Sequence, residues 1–220
     1  MGPVALGKCF LCAMAPFRRR NMGFTPIHFS EEDRIFQDQI RRFAEREVAP
    51  IADEIDHNDR FPSEVIPKFG EMGLLQWSVP EAYGGPEGSL TMLCIAREEL
   101  ARYSLSLSVM VGENGNGMAL PLLFGGTDAQ KQKYFPMLAE GKTLVAFALS
   151  EPEAGSDAAA LRTRAVRDGD DWRITGNKIF VTCGPVADYV LVFARSNDAP
   201  RAKGVSAFIV DTSLPGVTRG

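Results

Sequence analysis

The apolar residues keep a helical period as far as Gly141 and an extended, short-run pattern after it, and this one change of period does most to limit what the chain can become. Helices followed by strands, instead of alternating with them, argue for an α+β protein with an all-α first domain and a β domain behind it. The helical pattern opens at Ser30. Its hydroxyl can accept from the amide of Asp33 in a capping box, and Phe36, Ile40, Phe43 and Ala44 then share a face until Pro50 limits the helix. A second helix is expected over 63–72, with Pro67 tolerated in its first turn and Gly73 as its stop. After a loop over 80–86, a third helix over 90–102 buries Leu93, Ile95 or Ala96, and Leu100. Residues 104–124 read as a buried helix of imperfect propensity. Thr127 and Gln130 form another capping box, for a helix that carries Tyr134, Leu138 and Ala139.

Beyond Gly141 the runs 144–149, 161–166, 172–175, 178–182, 189–195 and 205–210 have the length of strands. Turn chemistry at Asp168-Gly169-Asp170 and a break at Thr175-Gly176-Asn177 separate them, which predicts an antiparallel β domain. No run approaches the roughly 18 uncharged apolar residues that a bilayer demands. Net charge is −4; the first thirty residues hold Lys8, Arg18, Arg19 and Arg20 and no acid, so the rest carries −8. That balance argues against nucleic acid as a partner. Residues 1–29 lack the apolar core of a secretory signal and the serines and amphipathic period of a transit peptide. They are expected to be a disordered leader or a start assigned too early, with Met14 or Met22 as the alternative. The expected organisation is therefore 1–29 leader, 30–142 helical domain and 143–220 β domain. Four cysteines in 220 residues suggest a reducing compartment. Cys9-x-x-Cys12 has no histidine at zinc spacing, so no metal site is expected.

Two motifs invite a chemical reading. Gly112-Glu-Asn-Gly115-Asn-Gly117 superficially suggests a phosphate loop, but its spacing is G-x-x-G-x-G inside a helical stretch, so a helix break or a packing site is the better expectation. Residues 147–157 are different. A strand delivers Ser150, Pro152 turns the chain, and Gly155-Ser156-Asp157 offers an open backbone that a diphosphate could approach, although by itself the segment is an ordinary turn.

Ser150-Glu151-Pro152-Glu153-Ala154-Gly155-Ser156-Asp157, then Gly176-Asn177-Lys178, Phe180-Val181-Thr182 and the run from Ala187-Asp188 to Arg195, together resemble the middle domain of the acyl-CoA dehydrogenase family. Pro80-Glu-Ala-Tyr-Gly-Gly85, Gly126-Thr127 with Gln130-Lys131, and Gly204 with Ala207-Phe208 extend the resemblance over residues 29–220. The resemblance implies an incomplete β-barrel behind the helices and FAD as cofactor. It implies α,β-dehydrogenation of an acyl-CoA thioester with hydride passing to flavin N5. Phe147, Leu149 and Ser150 match positions lining the flavin ring; Gly155 and Ser156 match positions near the FAD diphosphate, with Ser156 also near the acyl-CoA. Phe180, Val181 and Thr182 match the aromatic-x-Thr that packs on the isoalloxazine and donates to it. An aromatic wall and a few fixed donors are what a flat ring that accumulates negative charge requires.

The family's catalytic glutamate belongs to a C-terminal helical domain that has no counterpart here, so no catalytic residue is expected in this chain; Glu151 and Glu153 are expected in turn or surface roles. The chain is accordingly read as an N-terminal portion. The alternatives are an inactive FAD and acyl-CoA binding remnant, and a flavin oxidase or monooxygenase on the same scaffold. The resemblance further implies an electron-transfer flavoprotein as acceptor and a homo-oligomer for a full-length form. Cytoplasm is the expected location, with the mitochondrial matrix as alternative.

Overall fold

A computed structural model describes residues 29–86 and 88–219. The leader expectation and the Cys9-Cys12 pair fall on residues outside the described ones. The Ser30 capping box forms as read, Asp33 N donating to Ser30 Oγ and Ser30 N to Asp33 Oδ2, both at 3.0 Å. It opens α1 (Glu31–Phe43). Pro50 does not end this helix. A π-helical segment, Ala44–Val48, leads straight into α2 (Ala49–His57), with Pro50 in the first turn of the latter. Proline lacks an amide and crowds the carbonyl of the preceding turn, and widening that turn to π geometry absorbs both problems without breaking the helix.

The next helices are shorter than their periodicity suggests. α3 (Ile66–Glu71) carries Pro67 in its first turn and is followed by Gly73 at φ 72°. α4 (Leu90–Ala101) buries Ile95, Ala96 and Leu100, with Leu93 only partly buried. The stretch 104–124 is not one helix. α5 (Leu105–Met110) stops where Gly112 takes φ 80°, and the chain resumes through a π segment, Gly115–Ala119, into α6 (Leu120–Gly125). α7 (Asp128–Ala139) begins at the Thr127 capping box as expected. One core gathers Ile40, Phe43, Phe69, Leu74, Leu100 and Leu107 between the helices. No helix among the described residues is long and apolar enough to cross a membrane.

The sheet contains β1 (Val145–Ala148), β2 (Arg164–Asp168), β3 (Asp171–Thr175), β4 (Tyr189–Arg195) and β5 (Val205–Asp211). It is mixed and open, where the turn signals had suggested antiparallel pairing throughout. β2·β3 and β4·β5 are antiparallel, the first closed by Gly169 at φ 63°, whereas β1 runs parallel to β4 with Val145 opposite Tyr189. β2 meets the end of β4 only at Arg164 opposite Arg195. Turn residues report a local hairpin; they carry no signal for two strands joined through a forty-residue excursion. The helices and the sheet share a second core, in which Met118, Leu122, Tyr134, Phe135 and Leu138 pack with Val145, Tyr189 and Ile209. β1 is thereby held between its strand partner and the helical half, and its C-terminal end is presented where the motif residues begin.

Candidate functional site

β1 carries Phe147 and, past its end, Leu149 and Ser150, all half-buried. The Phe147 ring centre lies 4.9 Å from that of Phe193 on the neighbouring β4. Pro152 and Glu153 then turn the chain, and Glu151 and Ala154 exchange both backbone hydrogen bonds, at 3.0 and 3.1 Å. Ala154 is buried beneath the turn, while Gly155, Ser156 and Asp157 are exposed. No atom of the described residues lies within 4 Å of the place a Cβ on Gly155 would occupy, and its φ is not in the left-handed region. Nothing among the described residues requires glycine there. Asp157 pairs with Arg201 at 3.2 Å on the surface, and Arg195 donates to the carbonyls of Ala159, Ala199 and Arg201, tying the segment after Ser156 to the loop before β5.

Glu151 is almost fully buried. Its carboxylate accepts from the Arg162 amide at 2.6 Å, the Thr163 amide at 2.9 Å and the Lys178 ammonium at 2.8 Å. Burial pushes its pKa up, but Lys178 and the donors of residues 162 and 163 outweigh burial and hold it down to about 2. A carboxylate held in this way anchors a turn and is a poor proton acceptor. Burial pulls the Lys178 ammonium below its ordinary range, and Glu151 opposes that pull.

Residues 178–182, expected as a strand, do not form one. Lys178 Nζ also donates to the Leu149 carbonyl at 3.0 Å, and Ile179 N donates to the Ser150 carbonyl at 3.0 Å. The pairing ends there because Phe180 takes φ 54° and Cys183 φ 58°, in the left-handed region that β-forming residues avoid. Phe180 is 92% exposed, so its ring packs in no core formed by the described residues. Val181 accepts from Gly184 N at 2.8 Å, and Thr182 is exposed. The Cys183 thiol is half-buried and pushed up to about 11, by burial first and then by the charge of Glu113, so it stays protonated near neutral pH.

The structure thus sets Leu149 and Ser150 beside Lys178, Ile179 and Phe180, while no hydrogen bond among the described residues joins Gly155 or Ser156 to Val181 or Thr182. The hydroxyls of Ser150, Ser156 and Thr182 make no hydrogen bond within the described residues. Sequence reasoning gave no role to Lys178 or Arg195. A lysine after Gly-Asn carries no sign that a buried carboxylate waits 27 residues upstream, and an arginine ending a strand carries no sign that it will hold two loops. One concavity lies against residues 53–58 and another between Met137, Asp188 and Thr212, and neither is lined by Phe147, Leu149, Ser150, Gly155, Ser156, Phe180, Val181 or Thr182.

The sequence matches the acyl-CoA dehydrogenase N-terminal domain over residues 30–142 and the acyl-CoA dehydrogenase middle domain over residues 146–220. The chain belongs to the acyl-CoA dehydrogenase family. Within the family it is 38% identical over 194 residues to an acyl-CoA dehydrogenase of Bacillus subtilis, covering 88% of this chain and 51% of that protein. It is 36% identical over 195 residues to the caffeyl-CoA reductase-Etf complex subunit CarC of Acetobacterium woodii, covering 88% of this chain and 52% of that one. A glutaryl-CoA dehydrogenase from Mycobacterium smegmatis, solved in complex with FADH2, has the same fold at a TM-score of 0.77 and 30% identity, over 86% of this chain and 47% of that chain. The chain spans about half the length of the curated relatives it matches.

Proposed function

We propose that this chain forms the flavin-holding face of an FAD-dependent acyl-CoA dehydrogenase. Phe147, Leu149, Ser150, Phe180, Val181 and Thr182 lie around the isoalloxazine in this reading, and Gly155 and Ser156 near the diphosphate, with Ser156 also toward the acyl-CoA. The observation that carries the proposal is Phe180: a large aromatic side chain, 92% exposed, on a non-glycine residue at positive φ, directly after the segment bonded to Leu149 and Ser150. Exposure of that size on a strained residue is costly unless the ring has a partner. Gly155 supports it, since a glycine with no internal reason to be one fits a backbone that must let a ligand approach.

FAD, when bound, would supply the acceptor for the hydride of the thioester β-carbon. The chain's own part is to wall the ring with Phe180, to offer the free hydroxyls of Ser150 and Thr182 as donors, and to leave the amides around Gly155 open to an anion. No base for the α-proton is assigned to this chain: Glu151 is engaged by three donors, and Glu153 is exposed on the turn. The printed name of the Acetobacterium woodii relative, a subunit of an Etf complex, supports an electron-transfer flavoprotein as the acceptor partner. Cys94 and Cys183 form no disulfide among the described residues.

The test is anaerobic. The purified chain is loaded with FAD, freed of excess flavin and mixed with a short and a long acyl-CoA while the oxidised-flavin absorbance is followed. Retained flavin whose spectrum is perturbed by acyl-CoA supports the proposal, and bleaching would add a base on this chain. A folded chain that retains no flavin overturns it.

A further inference from the structure

We propose that Glu151 and Lys178 are a positioning pair that sets the distance between the two halves of the flavin-holding face. The inference rests on the reading given under Proposed function and assigns roles to two residues outside its contact set. The Lys178 ammonium makes two bonds, to the Leu149 carbonyl at 3.0 Å and to Glu151 Oε1 at 2.8 Å. The Glu151 carboxylate makes three, the other two to the amides of Arg162 and Thr163 at the approach to β2. One ion pair therefore fixes three stretches of chain: 149–151, 162–163 and 178–179. Both side chains are close to fully buried, with relative exposures of 10% for Lys178 and 4% for Glu151.

Stability alone is a weak reason for such a pair, because a buried ion pair can often be replaced by apolar residues of similar volume at no loss. Geometry is the stronger reason. From Gly176 to Asp188 the chain has neither helix nor strand, so no ladder of hydrogen bonds holds its course. Lys178 and Ile179 carry the bonds that tie it to the end of β1. Phe180 follows immediately at φ 54°, a conformation that persists only where the surroundings over-determine it. Its flanks are the Ile179 bond to Ser150 on one side and the Gly184 to Val181 turn on the other. Gly176 completes the arrangement, since a Cβ there would stand 2.2 Å from Thr163 Oγ1 and push the approach to Lys178 off the anchor. Neither charged group need touch a ligand. Their effect passes through Leu149, Ser150 and Phe180, and a ring-binding surface displaced by a fraction of an ångström loses affinity even when every contact residue remains.

The test compares Lys178→Met, which keeps the bulk and removes both bonds, with Lys178→Arg and Glu151→Gln. Three quantities are read: the FAD dissociation constant, the visible spectrum of the retained flavin, and amide hydrogen exchange in the flavin-free chain. For Lys178→Met the expectation is about a tenfold rise in the dissociation constant, an altered flavin spectrum, and faster exchange confined to Ile179 and Gly184 while α1, α4 and β4 keep their protection. Lys178→Arg restores part of the affinity and the parent spectrum, and Glu151→Gln falls between. Unchanged affinity and spectrum in Lys178→Met with faster exchange at Ile179 overturn the inference, leaving a structural tie; so does a loss of protection spread evenly over the chain. Failure of the parent chain to bind FAD sinks the functional reading itself, and is thus separable from a parent that binds and variants that bind equally well.

Discussion

Asn114 Oδ1 accepts from the amide of Val145 at 2.9 Å while its Nδ2 donates to the carbonyl of Thr143 at 2.7 Å, so a buried side chain of the helical half completes the backbone at the root of β1. Two glycines that follow it are closely packed as well. A Cβ on Gly115 would stand 2.2 Å from Ser78 Oγ, and one on Gly117 would press on Val145 at 3.1 Å. The glycines of residues 112–117 thus serve close packing, Gly117 against β1 and Gly115 against Ser78, so what resembles a phosphate loop is a small-residue packing surface.

Asn114→Ala should therefore destabilise the fold without touching the motif residues. Two backbone groups lose their partner, each worth roughly 1–3 kcal/mol, so a cost of about 2–6 kcal/mol is expected. Urea unfolding checks it: the midpoint falls and the slope stays the same.

A second stability prediction concerns Glu99, a carboxylate 2% exposed on α4. Arg41 of α1 donates to it twice, at 2.8 and 3.1 Å, and Gln37 once, at 2.9 Å. These bonds, Arg41 first, hold its pKa below the ordinary carboxylate range against the opposing effect of burial. A depressed folded-state value means that the stabilisation is fully present above the unfolded value of about 4.3 and is lost as pH falls through the folded one. Glu99→Gln should cost roughly 1–3 kcal/mol at pH 7, less than a wholly buried pair because Arg41 is partly exposed. Thermal unfolding at stepped pH should show the gap to the parent chain closing below about pH 4.

How much of this was legible beforehand follows from the range of the interactions. The Ser30 and Thr127 caps, the Gly73 stop and the hairpin around Gly169 depend on neighbours within a few residues, and the sequence displays them directly. The π segments before Pro50 and after Asn114 escaped because periodicity cannot distinguish one extra residue per turn. β1 beside β4, and Lys178 on Glu151, are meetings across 40 and 27 residues that leave no local trace. The candidate site was found through a motif, and the motif does not disclose that Phe180 leaves the strand pattern: only its φ does.

That departure makes Phe180→Ala informative. The ring is 92% exposed, so its removal should alter stability by no more than about 0.5 kcal/mol, as at other exposed positions. If the ring walls a flavin, affinity for FAD should fall by about tenfold or more, the scale of losing one aromatic contact of roughly 1–3 kcal/mol. Fluorescence titration beside a melting curve reads both. Loss of stability with affinity intact would return Phe180 to the packing role that its exposure argues against.

Gly155 and Gly115 give the sharpest contrast, because the same substitution should act in opposite ways at the two sites. Around Gly155 there is open space and no positive φ, so Gly155→Ala should leave stability within about 1 kcal/mol of the parent, on the favourable side, since alanine has less freedom to lose on folding. Gly115→Ala forces a methyl group against Ser78 and should cost roughly 1–3 kcal/mol through overpacking. Ligand binding should reverse the order. If a diphosphate approaches the amides of this turn, a methyl group there stands in its way and Gly155→Ala should weaken FAD binding, whereas Gly115→Ala, measured well below its melting temperature, should bind as the parent does. Equal affinities in the parent and Gly155→Ala would place the diphosphate away from this turn and leave the ring-side residues as the whole of the flavin face.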